Sequence, residues 1–283
     1  MVERRSRASW LPHALLFAGV LVFAFPIYTA LIGSTHDAAT IGRGDLPLYP
    51  GSHGVENYTQ AWSQGSGERV KASPVAKMMA NSFVMALVIA VGKIAVSLIS
   101  AYAVVFFRFP LRMFFFWMIF ITLMLPVEVR IIPTFKVVSD LHLINTFGGL
   151  TIPLIASATA TLLFRQFFMT IPDELVEAAK IDGAGPLRFF RHILLPLSRT
   201  NIAALFVILF LYGWNQYLWP LLFTTDKDMA TAVIGLKHLI PQSDSEPAWN
   251  VAMNAALLVM LPPALVVVAL QRWLVKGLVD SGK

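Results

Sequence analysis

Thr170 to Arg199 reads TIPDELVEAAKIDGAGPLRFFRHILLPLSR, a charged interruption between two long apolar segments. Acids and bases cluster here in a chain otherwise dominated by hydrophobic residues, so the stretch must lie in water or against another protein. Pro172 suits the first position of a helix, and Asp173 and Glu174 place negative charge at the positive end of its dipole. At about 100° per residue, Asp173, Glu174, Glu177 and Lys180 share one arc while Leu175, Val176, Ala178 and Ala179 share the other. The two alanines make that second face shallow, so a partner surface can approach closely. Gly183-Ala184-Gly185-Pro186 then breaks the helix and turns the chain. A second short helix is expected, with Phe189, Phe190, Ile193 and Leu194 opposite Arg188, Arg191 and His192, ending at Pro196. The product is a helix-turn-helix elbow with one face shaped for burial.

The rest of the chain supplies little polar surface. Of its 283 residues 57% are hydrophobic and only 13% charged, where a soluble domain carries about 25% charged residues. With a mean hydropathy of +0.69, this composition argues for a polytopic membrane protein. The net charge of +6 does not imply nucleic acid, because no soluble basic domain exists to bind it. Basic residues flanking apolar segments account for it. The chain has no cysteine, which excludes disulfides, a thiolate nucleophile and cysteine-based metal sites.

Six apolar segments organise the sequence. The first covers 11–33 behind Arg4, Arg5 and Arg7; at more than 20 residues it exceeds the apolar core of a signal peptide, about 7–15 residues, and reads as an uncleaved span. A polar stretch at 34–78, rich in Gly, Ser and Pro and holding Tyr58 and Trp62, is expected as a long loop without an evident element. Further spans are expected at 79–107, 113–132 (with Pro126 near its end), 144–168, 201–223 and 251–275, the last broken by Pro262-Pro263. The fold class is therefore all-α, a single six-span domain. With both termini inside, 13 of the 22 Lys and Arg fall on the cytoplasmic side, eight outside, and Lys93 within a span. Half of the outer charges lie in the long first loop, where the positive-inside rule counts weakly. The elbow then faces the cytoplasm.

Glu177-Ala178-Ala179, three residues, Gly183, nine residues and Ile193-x-Leu195-Pro196 resemble the complete EAA loop of the membrane subunits of binding-protein-dependent ABC importers. The segments FFWMIFITLMLPVEVRIIPT, SATATLLFRQFFMTIPDELVEAA, LYGWNQYLWPLL and GLVDS, with NSFVMA and FRFPLR, are similar to the permease subunits that import sn-glycerol-3-phosphate. The resemblance runs from about Asn81 to the C-terminus and is poorest in the first loop. It implies that the elbow carries a coupling helix seated in a groove on a cytoplasmic ATPase, with Glu177, Ala178, Ala179, Asp182 and Gly183 making that contact. It also implies three partners: a second homologous permease subunit, a homodimeric ATPase and a periplasmic substrate-binding protein facing the first loop. The same machinery would equally serve import of a glycerophosphodiester or of a neutral sugar. A membrane scaffold whose elbow docks some other cytosolic protein is the reading from a different class.

No G-x-x-x-x-G-K-[ST] occurs; Gly92-Lys93 lacks both the earlier glycine and the following hydroxyl, so ATP is expected on a separate subunit and no cofactor on this one. The six histidines are scattered without an i,i+4 pair, and no metal site or catalytic constellation is argued from spacing. The polar residues within spans are the pathway candidates. An ionisable group at membrane depth costs several kcal/mol unless paired or hydrated. Lys93 therefore either faces an aqueous pathway, where it would attract a phosphate, or pairs with a carboxylate of the sister subunit, or snorkels. Arg130, two residues from Glu128 and not facing it on a helix, either admits an anion or neutralises an acid. Tyr212, Asn215 and Gln216 lie in a polar-aromatic outer half of the fifth span. The two amides there line a cavity or bond across helices. Gly92, Gly148, Gly149 and Gly213 are expected at close helix contacts.

Overall fold

A computed structural model describes residues 10–65, 73–122, 125, 127–239 and 248–280, and every regular element among them is helical. In order they are α1 (Trp10–Gly33), α2 (Ala38–Gly42), α3 (Gly54–Ser63), α4 (Val75–Phe106), α5 (Arg112–Ile121), α6 (Val127–Asp140) and α7 (Phe147–Leu154). There follow α8 (Ala158–Phe168), α9 (Asp173–Ile181), α10 (Pro186–Leu197), α11 (Arg199–Trp214), α12 (Leu218–Phe223), α13 (Ala232–Leu239) and α14 (Trp249–Asp280). Arg4, Arg5, Arg7, Arg69, Lys71, Pro126 and Lys283, which entered the charge and span readings, lie outside the described residues.

Three helices (α1, α4 and the Trp249–Trp273 part of α14) are long and apolar enough to cross a membrane. The bent pairs α7–α8 (45°) and α10–α11 (71°) raise the number to as many as five. α1 is apolar on all sides and leaves Phe17, Val22 and Phe23 among many exposed side chains, a pattern that suits hydrocarbon or another membrane helix and not water.

Several expectations need correction. The 34–78 stretch is not featureless: α2 and α3 lie within it. The elbow's second helix passes through a π-type stretch at Phe190–Leu194 and ends at Leu197, one residue past Pro196, where the chain bends by 71°. Pro262 and Pro263 do not break α14, which runs through both as one helix. The fifth segment is interrupted after Trp214 and resumes as α12. Pro220 falls in the first turn of α12, where its missing N–H leaves no earlier carbonyl of that helix without a partner.

The chain divides into two units, Met1–Lys77 with Gly235–Leu261, and Met78–Ile234 with Pro262–Lys283. The first is held by buried amides. Asn57 donates to the carbonyls of Ser34 (2.9 Å) and His36 (2.8 Å), and Asn250 donates to Asn57 Oδ1 (2.9 Å). Asn254, fully buried, donates to the carbonyls of Ser34 (3.0 Å) and Asn250 (2.7 Å). Each such bond contributes about 0.5–1.5 kcal/mol, and leaving one of these buried groups unpaired costs more.

The second unit has an apolar core of Met85, Ile89, Ile131, Val138, Leu150, Leu154, Trp219 and Phe223. Trp219 and Phe223 stack with ring centroids 4.0 Å apart, and the Trp219 indole donates to the carbonyl of Gly149 (3.2 Å). Asn81 at the start of α4 donates to the carbonyls of Asp228 (2.8 Å) and Ala230 (3.0 Å), while Ser82 accepts from the Ala232 N–H (2.8 Å). These bonds fix one end of α4. The other end reaches the elbow.

Candidate coupling elbow and translocation site

The elbow folds as its sequence requires. Asp173 and Glu174 occupy the first turn of α9 and Lys180 its last, matching the helix dipole at both ends. At its C-terminus the Gly183 N–H donates to the carbonyl of Lys180 (3.0 Å) and the Ala184 N–H to that of Ala179 (2.8 Å). Those two bonds make a Schellman motif, and it needs a left-handed residue, which Gly183 supplies with φ +70°. Pro186 opens α10 at its first position, where its missing N–H costs nothing.

Glu177, Ala178, Asp182 and Gly183 are exposed on this elbow. Ala179 is not: it is buried within the chain at 4% exposure, so it supports the elbow from beneath and is no part of an outward docking face. The apolar residues presented outward include Ile181 (86% exposed) and Leu187 (77%), on either side of the turn. Sequence reading overlooked both, because neither shares the alanine arc on a helical projection; the turn itself brings them to the surface.

Beneath the elbow lies an aromatic clamp that sequence reasoning also missed. The Tyr102 hydroxyl on α4 donates to the carbonyl of Pro186 (2.9 Å). Its ring lies 5.0 Å from that of Phe190 and 5.1 Å from that of Phe107, with Phe106 and Phe189 adjoining. Phe106 in turn meets Phe168 at the end of α8, 6.0 Å between centroids. Aromatic pairs of this kind add about 0.5–1.5 kcal/mol each beyond area burial. The elbow is thus joined to α8 and α11 by the chain and to α4 by packing.

Further along α4, helix contacts tighten. A Cβ on Gly213 would lie 2.7 Å from Cα of Ala86, so α11 and α4 touch backbone to backbone. A Cβ on Gly92 would meet Ile155 at 2.7 Å, and Ser97 donates to the carbonyl of Ser157 (3.2 Å) at the break between α7 and α8. Gly149 abuts the carbonyl of Leu143 within its own turn, whereas Gly148 makes only ordinary contacts. Between these points Lys93 is buried, 7% exposed, with its Nζ 3.8 Å from the centroid of the Tyr212 ring. Ala86 and Lys93 are seven residues apart and share a face of α4, so the Gly213–Ala86 approach places Tyr212 beside the ammonium.

Arg130, exposed on α6, is near enough for its charge to bear on both Lys93 and Tyr212. Among the described side chains, which do not include that of Glu128, no carboxylate pairs with Lys93. The cation–π contact supplies about 2 kcal/mol when desolvated, less than the several kcal/mol that burying an ammonium costs. Gln216 donates to the carbonyl of Tyr212 (3.1 Å), satisfying the end of its own helix and not reaching another. Asn215 is the exposed residue that closes α11. Of the five pathway candidates the structure therefore gathers Lys93, Arg130, Tyr212 and Gln216, with Asn215 beside them at the helix break.

The described elements are all helical, as many as five of them long and apolar enough to span a membrane, with a glycine-turned elbow between two of them; this is the architecture of a membrane transport component. Residues 93–280 match the family described as binding-protein-dependent transport system inner membrane component, and the chain belongs to that family. It is 59% identical to the sn-glycerol-3-phosphate transport system permease protein UgpE of Agrobacterium fabrum, over the full length of both. It is 58% identical to the protein of that name from Brucella melitensis and 56% to that from Salmonella typhi, again over both whole chains. Its fold is shared with a chain in the crystal structure of a bacterial ABC transporter involved in the import of the acidic polysaccharide alginate. That likeness has a TM-score of 0.81 at 20% identity and covers 96% of this chain and 99% of the other.

Proposed function

We propose that this chain is one of two homologous permease subunits of an ATP-driven importer that carries sn-glycerol-3-phosphate across the bacterial inner membrane. Relatives named for that transport system, 56–59% identical end to end, support the substrate. A homodimeric ATPase supplies hydrolysis, and a periplasmic binding protein delivers the ligand to the outer face. Both termini and the elbow are cytoplasmic, with six spans at 11–33, 79–107, 113–132, 144–168, 201–223 and 251–275.

The observation that carries the reading is the elbow itself, an exposed, acid-bearing helix closed by Gly183. ATP binding draws the two ATPase subunits together, and the elbow moves with them as a rigid lever. It displaces α8 and α11 through the chain and α4 through Tyr102, and the cavity opens outward to receive ligand. Glu177 makes the charge contact with an ATPase arginine; Ala178, Asp182 and Gly183 shape the docking surface around it, and Ala179 supports them from below.

The test is Glu177→Lys in the full complex reconstituted with its binding protein. Uptake and ligand-stimulated ATP hydrolysis are expected to be abolished while the subunit still inserts. Normal coupling, or labelling of a cysteine at position 177 by an impermeant external reagent in intact cells, refutes the assignment.

A further inference from the structure

The second unit holds one buried cation whose environment is incomplete. Lys93 lies 7% exposed in the middle of α4 with its Nζ 3.8 Å from the centroid of the Tyr212 ring, and the charge of Arg130 on α6 bears on it. A lysine buried for stability alone is expected beside a carboxylate or hydrogen-bonded to carbonyls. Here Tyr212 stabilises the ammonium only in part, and Arg130 raises the positive potential further. A buried ammonium held on one face by a ring, within the field of a second cation, makes a site that an anion completes.

We propose that Lys93, Arg130 and Tyr212 form a phosphate-recognising subsite in the translocation pathway. Lys93 provides the charge that binds the phosphate oxygens, Arg130 draws the anion in from the exposed rim, and Tyr212 holds the ammonium in place before the anion arrives. The ligand class is a phosphate monoester, which carries about −1.5 to −2 charge near neutral pH, and a phosphodiester with its single charge is held less well. The Gly213–Ala86 contact is the support behind the site, since it sets the ring over the ammonium. This subsite rests on the importer reading and adds to it the chemistry by which the permease itself discriminates.

Uptake of sn-glycerol-3-phosphate and of glycerophosphocholine is measured in proteoliposomes holding the whole complex, for wild type, Lys93→Met, Lys93→Arg and Tyr212→Phe. Lys93→Met keeps length and apolar packing while removing the charge, so the helix has no reason to unfold. It is expected to lower monoester uptake at least about tenfold, to lower diester uptake several-fold less, and to leave ligand-stimulated ATP hydrolysis present. Lys93→Arg and Tyr212→Phe, which retain the charge and the ring, are expected to keep the wild-type preference between the two substrates. An unchanged monoester-to-diester ratio in Lys93→Met overturns the subsite, whether uptake is normal or falls equally for both. Failure of the wild-type complex to transport the monoester overturns the importer reading instead, so the two failures are distinct.

Discussion

Replacing Gly183 puts the elbow to its most specific test. The residue sits at φ +70°, and the turn it makes carries the Gly183-to-Lys180 and Ala184-to-Ala179 hydrogen bonds at 3.0 and 2.8 Å. A Cβ there meets nothing within 4 Å, so crowding plays no part and the effect of substitution is conformational. Alanine in the left-handed region costs about 1–2 kcal/mol, a factor of about 5–30 in the population of the closed turn. Asparagine enters that region with less strain and should cost little. Proline fixes φ near −65°, removes the N–H given to Lys180 and disfavours the helical conformation at Asp182. Its cost is about 3 kcal/mol or more, enough to abolish the closed turn. Uptake and stimulated ATP hydrolysis by the reconstituted complex should therefore fall in the order glycine, asparagine, alanine, proline, at equal membrane levels of each subunit. Normal coupling in the alanine and proline variants, or an asparagine variant worse than alanine, refutes the turn's role.

Tyr102→Phe removes only the hydroxyl bonded to Pro186, a loss of about 0.5–1.5 kcal/mol, and should reduce stimulated hydrolysis a few-fold. Tyr102→Ala also removes the ring from the Phe106, Phe107, Phe189 and Phe190 cluster and should leave basal hydrolysis without transport; full coupling in that variant disproves the clamp. Gly213→Ala drives a Cβ to 2.7 Å from the Ala86 backbone, overpacking that costs about 1–3 kcal/mol. Tryptophan fluorescence of the purified complex should report a lower melting temperature, and an unchanged one contradicts the backbone contact.

Much of this architecture was legible because its determinants are local. The acidic first turn of α9, the Gly183 turn and Pro186 at the start of α10 are each set by a residue's own backbone preference. The close contacts at Gly92 and Gly213 were legible too, since a glycine inside an apolar helix has few other uses. What sequence order hid was long-range pairing. Asn57 and Asn250 are 193 residues apart and Tyr102 and Pro186 are 84 apart, and neither pair leaves a periodic trace. The 34–78 stretch read as loop because α3 is mostly polar, and its burial depends on amides from α14. Pro262-Pro263 misled for the opposite reason. A proline removes one backbone donor, and a long helix can run through that single gap.

Lys93 was suspect from its position alone, but only the fold joins it to the elbow. α4 and α11, which present the ammonium and the ring, run without an internal proline, unlike α1, α6 and α14. Each is therefore stiff along its length, and each is attached to the elbow at its inner end, α11 by the chain and α4 by the Tyr102 cluster. Tyr102 lies nine residues from Lys93, about 13 Å along the helix, and roughly half a turn away around it. The Gly213–Ala86 contact lies on the far side of Lys93 from the elbow and brings the two helices together there. On the proposed mechanism, a lever that displaced α4 and α11 by different amounts at the inner end, with this contact holding them at the other, would change the spacing between, which is where Lys93 meets Tyr212. Movement of the elbow and exposure of Lys93 would then be one mechanical event. A complex trapped with ATP should accordingly show a changed distance between labels placed on α4 and α11 near positions 93 and 212, and Tyr102→Ala should suppress that change without altering ATP binding.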